Sequence, residues 1–243
     1  MNILDYVRIE TSTVKNGNMD YRFGDRQKIE KRREAYWGEK DFKIENTYLV
    51  KTNPKVFDMA KILKEKPQQL TECDGYDSLI TNNDEIVLGL FTADCLQITA
   101  YDFKNKVLAL IHSGFKWQNA GMINKTFNMM KEEFGTNLKN VLVHLGNCIA
   151  PEYYRWDENI LNNVNKNSWI YKTLEKDDHP KRAYKINLRK AARFNLRDIG
   201  VLDENIFDSD IDCYTNENYF SHVRSVYTKE KEGRHITLVQ MKN

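Results

Sequence analysis

The sequence predicts a mixed α/β (α+β) fold, a single layered domain with mixed β-sheets flanked by helices, and three observations lead to it. Short apolar runs typical of strands occur between segments whose apolar residues recur every three or four positions. The 243 residues are enough to bury a core without disulfide staples. No repeat or Pro/Gly/Ser-rich linker divides the chain, so we expect one domain over residues 1–243.

The predicted strands are apolar and β-branched runs bounded by polar residues. In chain order they cover residues 47–50, 78–81, 86–92, 96–101, 107–111, 141–145 and 236–239. Between 96–101 and 107–111, the charged and amide residues of 102–106 interrupt the apolar alternation. We therefore predict a β-hairpin with its turn in that segment.

Two segments have clear helical periodicity, because apolar residues recur at spacings of three and four within 123–134 and 188–199. Each is followed by a glycine, Gly135 or Gly200, which suits the residue after a helix C-terminus. The first helix is expected after His112 and about two turns' worth of loop. Residues 27–36 and 158–164 are weaker helix candidates, and residues 56–64 allow either a helix or a strand.

Composition excludes several functional classes. A net charge of +2 gives no basic surface for nucleic acid. No run of eighteen apolar residues and no basic, apolar leader is found, so we expect a cytoplasmic protein without membrane contact. The four cysteines are scattered without a CxxC pair, which argues against a disulfide framework or a four-thiolate zinc site. The expected partner is a small-molecule substrate.

The most informative residues are Cys95 and His112, at the two ends of the predicted hairpin. Paired positions in an antiparallel hairpin have a constant sum, here about 207 to 209, so Cys95 should lie opposite residues 112–114. The thiol and the imidazole should therefore meet at the open end of the hairpin. A change of register by one residue would turn them to opposite faces, so this prediction concerns proximity and leaves side-chain direction open.

Such a pair suits either a thiolate nucleophile activated by the imidazole or two ligands of a soft metal such as zinc. Both residues also have an ordinary explanation, since free cysteine and a lone histidine near a strand end are often buried in the core. Asp94 is a candidate to orient His112 or to meet the substrate, or it is a turn residue.

Five short motifs, in order along the chain, resemble those of one family. They are Thr92-Ala93-Asp94-Cys95, Ile111-His112-Ser113-Gly114-Phe115-Lys116, Leu145-Gly146-Asn147-Cys148-Ile149-Ala150-Pro151 with Tyr153-Tyr154, Cys213-Tyr214 with Phe220-Ser221, and Gly233-Arg234. On these motifs the chain resembles the YfiH-type laccase-domain family, also called polyphenol oxidase or peptidoglycan editing factor. The resemblance spans nearly the whole chain.

The resemblance implies a fold shared with bacterial toxins of the cytotoxic necrotising type, which use a Cys-His pair as hydrolase residues. It implies phosphorolysis of purine nucleosides such as inosine and adenosine, with adenosine deamination as a companion activity. It also implies zinc, held by Cys95, His112 and an earlier histidine. An older multicopper laccase label fits poorly, because the chain has five histidines and no HxH pair.

The chain departs from the family pattern first at the metal site. Residues 50–56 align with the family's Gln-Val-His-Gly segment and put Thr52 where its histidine belongs, and no histidine precedes His112. A threonine hydroxyl is a poor zinc ligand, so we expect weak zinc binding. Lys116 replaces the arginine of the family's Gly-Trp-Arg-Gly stretch, and Asn147 replaces a proline.

Three hypotheses remain open. The leading one is a purine nucleoside phosphorylase centred on Cys95 and His112, with phosphate or substrate bound by Lys116, Ser221 and Arg224. The second is a metal-independent Cys-His hydrolase that acts on an amide or ester, in the manner of cell-wall precursor editing. The third is a non-catalytic relative that binds a ligand or a partner.

Overall fold

The structure is a computed structural model that describes residues 1–52, 55 and 57–242. Its strands are β1 (Val7–Thr11), β2 (Thr47–Lys51), β3 (Ala60–Leu63), β4 (Thr71–Asp74), β5 (Ser78–Thr81), β6 (Val87–Thr92), β7 (Leu96–Asp102), β8 (Val107–Ser113), β9 (Val141–Leu145), β10 (Arg155–Trp156), β11 (Glu175–Lys176), β12 (Tyr184–Lys185), β13 (Ile206–Asp208) and β14 (His235–Met241). Its α-helices are α1 (Arg26–Glu39), α2 (Phe115–Ala120), α3 (Met122–Phe134), α4 (Ile160–Asn163), α5 (Trp169–Lys172), α6 (Leu188–Ile199) and α7 (His222–Thr228).

Most of the strands belong to two large sheets. The first has the order β1-β14-β6-β2-β4, and the second has the order β13-β9-β7-β8-β5-β3. In the first sheet β2 runs parallel to β4 and β6, whereas β14 runs antiparallel to β1 and β6. The second sheet also combines parallel and antiparallel pairs. Both sheets are therefore mixed, as the sequence predicts.

Alternating side chains pack these sheets and helices into layers. Leu88 of β6 and Leu110 of β8 belong to one core cluster, which lies between the two large sheets. The next residue of β8, Ile111, points the other way and packs with α3 and α6. On the outer face of the first sheet, Trp37 of α1 packs against Val87 of β6. The layers are thus α1, the first sheet, the second sheet, and then α3 with α6.

Most of the predicted elements are confirmed. β2, β5, β6, β7, β8, β9 and β14 cover the predicted strands, and α3 and α6 end just before the two expected glycines. Gly135 and Gly200 have φ values of 66° and 110°, a left-handed backbone that favours glycine. The weaker candidate 27–36 lies within α1, whereas 158–164 contains only the short α4.

The loop expected after His112 is wrong. Helix α2 begins three residues after this histidine and ends at Gly121, whose φ is 85°. Six helical residues between two glycines carry too little periodicity to be recognised. The ambiguous segment 56–64 contains strand β3, and residue 56 lies outside the described residues.

None of the helices in the described ranges has both the length and the apolar character needed to cross a bilayer. We retain the prediction that residues 1–243 form one domain.

Candidate active site

The hairpin of β7 and β8 brings Cys95 and His112 to one end of the second sheet. Leu96 pairs with Ser113 and Gln97 pairs with His112, so the position sum is 209. The same register, extended by one pair, puts Cys95 opposite Gly114, within the range predicted from the sequence. Cys95 and His112 therefore lie diagonally across the hairpin on the same face, the side that looks toward the first sheet.

Gly114 makes the close packing of this site possible. A Cβ atom added at Gly114 would lie 2.6 Å from Sγ of Cys95 and 3.0 Å from Cε3 of Trp117. The φ of Gly114 is −74°, an ordinary value, so glycine is needed for space and not for backbone conformation. The thiol is therefore packed against the main chain that leads into α2.

His112 is buried and neutral. Its exposed fraction is 7%, and its ring lies on the indole of Trp117 with 3.8 Å between the ring centroids. Neither ring nitrogen has a hydrogen-bond partner among the described residues. Burial, with smaller effects from the positive charges of Arg22 and Arg234, lowers the pKa of His112 to about 3. At pH 7 the imidazole thus offers one donor and one acceptor nitrogen.

Cys95 is partly exposed as a residue, but the surroundings of its thiol disfavour ionisation. Burial raises the pKa of Cys95 to about 12, the Asp94 carboxylate adds to this rise, and Arg234 opposes it. The thiol is therefore protonated at pH 7. A thiolate–imidazolium pair, one of the two chemistries considered from the sequence, is not the resting state of this centre.

Asp94 supports the turn that carries Cys95. Its φ of 82° is unusual for a residue with a side chain. Its Oδ2 accepts a hydrogen bond from the amide of Val223 at 2.8 Å, and its carbonyl oxygen accepts one from the amide of Ile149 at 3.0 Å. Since His112 has no hydrogen-bond partner within the described chain, the suggestion that Asp94 orients this imidazole is wrong. Asp94 instead ties the turn to two distant segments.

Trp117 covers one face of the His112 ring. The planes of the indole and the imidazole are inclined by 30° to each other. Phe57 packs edge-on against this indole, with 5.3 Å between the ring centroids. The carboxyl of Asp77 lies nearby, and burial raises its pKa to about 6, an effect that the indole opposes. One face of the imidazole is therefore closed to ligands.

A cavity of about 460 Å³ lies at the carboxyl ends of β2 and β6, just before the turn that leads to Cys95. The cationic side chains that line it are those of Arg22, Arg26, Arg33 and Lys51, and they face two lining carboxylates. Thr52 lines it as well, and the charge of Arg22 reaches His112. Cys95 and His112 are not among the lining residues, so the charge of Arg22 is what links the cavity to this centre. Sequence reasoning missed the cavity.

The donor set of this centre does not fit a catalytic zinc ion. Such an ion normally has three protein ligands. Across residues 1–52, 55 and 57–242 there is no group of three or more His, Cys, Asp or Glu side chains that could hold a metal. Cys95 and His112 supply two donors, and Thr52 adds only a neutral hydroxyl. Residues 53, 54 and 56 of the aligned segment lie outside the described residues.

The residues predicted to bind phosphate have different surroundings. The Arg224 guanidinium donates to three main-chain carbonyls and pairs with Glu230 at 2.7 Å, so its donors are used within the fold. The hydroxyl of Ser221 caps α7 by accepting from the amide of Arg224 at 3.0 Å. Lys116 is exposed, with its Nζ 5.2 Å from the centroid of the Phe57 ring. Of the three, Lys116 is the most accessible to a ligand.

Several proteins are similar to this chain in sequence. The purine nucleoside phosphorylase LACC1 of Mus musculus is 30% identical over 190 residues, which are 75% of this chain and 41% of that protein. A purine nucleoside phosphorylase of Borreliella burgdorferi is 33% identical over 148 residues, which are 61% of this chain and 63% of that protein. The chain thus spans less than two thirds of the length of these relatives.

Solved structures share the fold. The crystal structure of the hypothetical protein YfiH of Bacillus licheniformis matches 97% of this chain and 93% of its own length, with a TM-score of 0.83 at 19% identity. YlmD of Geobacillus stearothermophilus matches 93% of this chain and 85% of its own length, with a TM-score of 0.79 at 20% identity. The family model described as multi-copper polyphenol oxidoreductase laccase matches residues 9–242. The chain therefore belongs to this laccase-domain family, the YfiH family that its motifs resemble.

Proposed function

We propose that the protein is an enzyme that cleaves purine nucleosides such as inosine with inorganic phosphate, giving the free base and ribose 1-phosphate. One observation carries the proposal. His112 is a buried, neutral imidazole whose ring nitrogens have no partner in the described part of the chain, and it feels the charge of Arg22, one of four cationic side chains that line a cavity together with two carboxylates. Relatives at 30% and 33% identity carry the name purine nucleoside phosphorylase, which supports the same reaction class here.

The charge states at this site suit that reaction. Phosphorolysis forms a bond between a phosphate oxygen and C1′ of ribose and breaks the bond from C1′ to the purine nitrogen, and the purine takes up the proton that the phosphate loses. Negative charge develops on the departing purine, so fixed hydrogen-bond donors beside it lower the barrier. The N–H of neutral His112 and the protonated thiol of Cys95 are two such donors on one face of the hairpin.

We assign no step to a metal ion, because the described donors do not make up a three-ligand set. The residues act by hydrogen bonding and by charge. His112 and Cys95 contact the leaving base, Asp94 holds the turn that positions Cys95, and the cationic cavity attracts the phosphate. Lys116 remains the accessible candidate among the other predicted phosphate ligands.

One observation favours a second candidate, the non-catalytic relative that binds a ligand. The indole of Trp117 lies 3.8 Å from the His112 ring, centroid to centroid, and closes one face of it. If the protein is such a relative, calorimetry should detect binding of inosine although product analysis finds no turnover. The raised pKa of Cys95 disfavours the hypothesis of a Cys-His hydrolase. Rapid labelling of this thiol by iodoacetamide at pH 7 would support that hypothesis instead.

The test is product analysis with purified protein, inosine and phosphate. Hypoxanthine and ribose 1-phosphate should accumulate in equal amounts, and neither should form when phosphate is omitted. Cys95→Ala and His112→Gln, purified in parallel, control for a phosphorylase from the expression host and should lose activity while keeping the melting temperature within a few degrees. Equal activity in all three preparations would refute the assignment. A parallel reaction with adenosine reports deamination as inosine.

A further inference from the structure

Arg33 is a buried arginine that forms no ion pair within the described residues. It lies on α1 with an exposed fraction of 2%, and its Nε donates to the carbonyl of Met19 at 2.9 Å. Its guanidinium lies 3.9 Å from the ring centroid of Tyr21 and 4.7 Å from that of Phe91. Among the described residues its Nη1 has no hydrogen-bond partner, and the carboxylates of Glu72, Asp20 and Glu30 act on its charge only from beyond ion-pair distance. Arg33 nevertheless lines the cavity at the carboxyl ends of β2 and β6.

The other cations of this cavity already have partners. Arg22 pairs with Asp20 at 2.5 Å, Arg26 with Glu30 at 3.0 Å, and Lys51 with Glu72 at 3.3 Å. Burying an unpaired charge is expensive, and two aromatic rings offset only part of that cost. Among the described residues, the guanidinium of Arg33 is thus the buried charge of the cavity that no carboxylate contacts directly.

The shape and chemistry of the cavity define that anion. A volume of about 460 Å³ is far more than one water molecule needs. The planar fork of a guanidinium matches two oxygens of a phosphate or a similar tetrahedral oxyanion. Arg22 and Arg26, at the more exposed end, add positive charge, and the Thr52 hydroxyl adds a neutral donor on the side of β2.

We propose that this cavity is an oxyanion site in which Arg33 binds a phosphate group, assisted by Arg22 and Arg26. Given the proposed function, this cavity is the place from which inorganic phosphate enters the reaction. A phosphate group borne by a nucleotide has the same chemistry, so both forms belong in the test. The site is distinct from Lys116, Ser221 and Arg224, the residues that the sequence suggested.

Binding is measured without turnover, by calorimetry of the full chain with inorganic phosphate and with inosine 5′-monophosphate. Wild type should bind at least one of them, and the two should compete if the nucleotide uses the same pocket. Arg33→Lys and Arg33→Met should weaken binding about tenfold or more, the loss that corresponds to one charge-assisted hydrogen bond. Arg26→Gln should weaken it a few-fold without affecting the fold, because Arg26 is exposed.

Arg32→Met is the matched control. Arg32 precedes Arg33 on the same helix but points toward the carbonyl of Asn18, 3.5 Å away, outside the cavity lining. It should bind phosphate as wild type does, and thermal melting of all variants should verify the fold. Absence of binding to wild type, or equal binding by wild type, Arg33→Lys and Arg26→Gln, would overturn the site.

The outcome separates this inference from the proposed function. Phosphate binding that depends on Arg33, in a protein that does not cleave inosine, supports the site and removes the function. Inosine phosphorolysis with an unchanged KM for phosphate in both Arg33→Lys and Arg26→Gln removes the site and supports the function. In the expected case, KM for phosphate rises in these variants while KM for inosine stays within about twofold.

Discussion

His235 tests the electrostatics of the buried strand next to the candidate site. It is fully buried, and its Nε2 hydrogen-bonds the hydroxyl of Thr92, three residues before Cys95, at 2.9 Å. Burial, with a smaller effect from Arg234, lowers its pKa from 6.5 to about 3. As pH falls through about 6.5 the unfolded chain takes up a proton here, whereas the native protein does so only near pH 3. The stability that depends on neutral His235 is therefore complete above pH 6.5 and is lost between pH 6.5 and 3.

The two pKa values set the magnitude. Between pH 7 and pH 5 this single group should lower the free energy of unfolding by about 2 kcal/mol, with a limiting slope of about 1.4 kcal/mol per pH unit. His235→Gln keeps a hydrogen-bonding side chain but cannot titrate. Its free energy of unfolding should therefore fall by about 2 kcal/mol less than that of wild type over the same interval. Urea unfolding at both pH values measures the difference.

The difference between wild type and His235→Gln does not depend on the other titrating groups. His112, whose pKa is lowered in the same direction, is present in both proteins, so its contribution cancels. His179→Gln is the matched control, because His179 is exposed and should follow wild type. If His235→Gln loses as much stability between pH 7 and pH 5 as wild type does, the reasoning from burial is refuted.

Three further predictions concern the metal site, the packing of the thiol and the turn before it. Thr52→His should raise zinc affinity because it supplies a third nitrogen or sulfur donor, and elemental analysis of wild type should find less than one zinc per chain; a full equivalent would contradict this. Gly114→Ala should lower the free energy of unfolding by about 1–3 kcal/mol, because its Cβ would lie 2.6 Å from the sulfur of Cys95. The control Gly38→Ala has open space around it in α1 and should raise the free energy of unfolding by up to about 1 kcal/mol. Similar shifts for the two alanines in urea unfolding would count against the packing argument. Asp94→Ala should be less stable than Asp94→Gly by about 1 kcal/mol, since glycine accepts a φ of 82° without strain; thermal melting in the opposite order would remove that explanation.

The hairpin was predictable because its information is local. Strand alternation and a short polar turn fix a position sum, and the sum alone brings Cys95 to Gly114. The face on which the side chains lie depends on the exact position sum, which is 209 in the structure. A sum of 208 would turn Cys95 and His112 to opposite faces, and the turn composition does not distinguish these two registers. The glycines that follow α3 and α6 made the ends of these two helices equally predictable.

The cavity was missed because its key residue looks like surface in the sequence. An arginine on a helix usually lies on a solvated face, and only packing against the first sheet encloses Arg33. A signal was nevertheless present. Arg33 lies on the same helical stripe as Ile29, Tyr36 and Trp37, all of them buried. A charged residue within an apolar stripe requires a counter-ion or a ligand, and this rule would have directed attention to α1.

The ionisation state of the thiol separates the two enzymatic hypotheses. Because burial raises the pKa of Cys95 to about 12, the thiol is protonated at pH 7, and a hydrolase would first have to ionise it to form its nucleophile. A phosphorylase does not have this requirement, because the bound phosphate is the nucleophile. Its protein needs neutral donors beside the leaving purine and positive charge beside the anion. Protonated Cys95 and neutral His112 meet the first need, and the cavity around Arg33 meets the second. The separation of these uncharged donors from the buried guanidinium of Arg33 therefore favours a reaction whose nucleophile arrives as an anion.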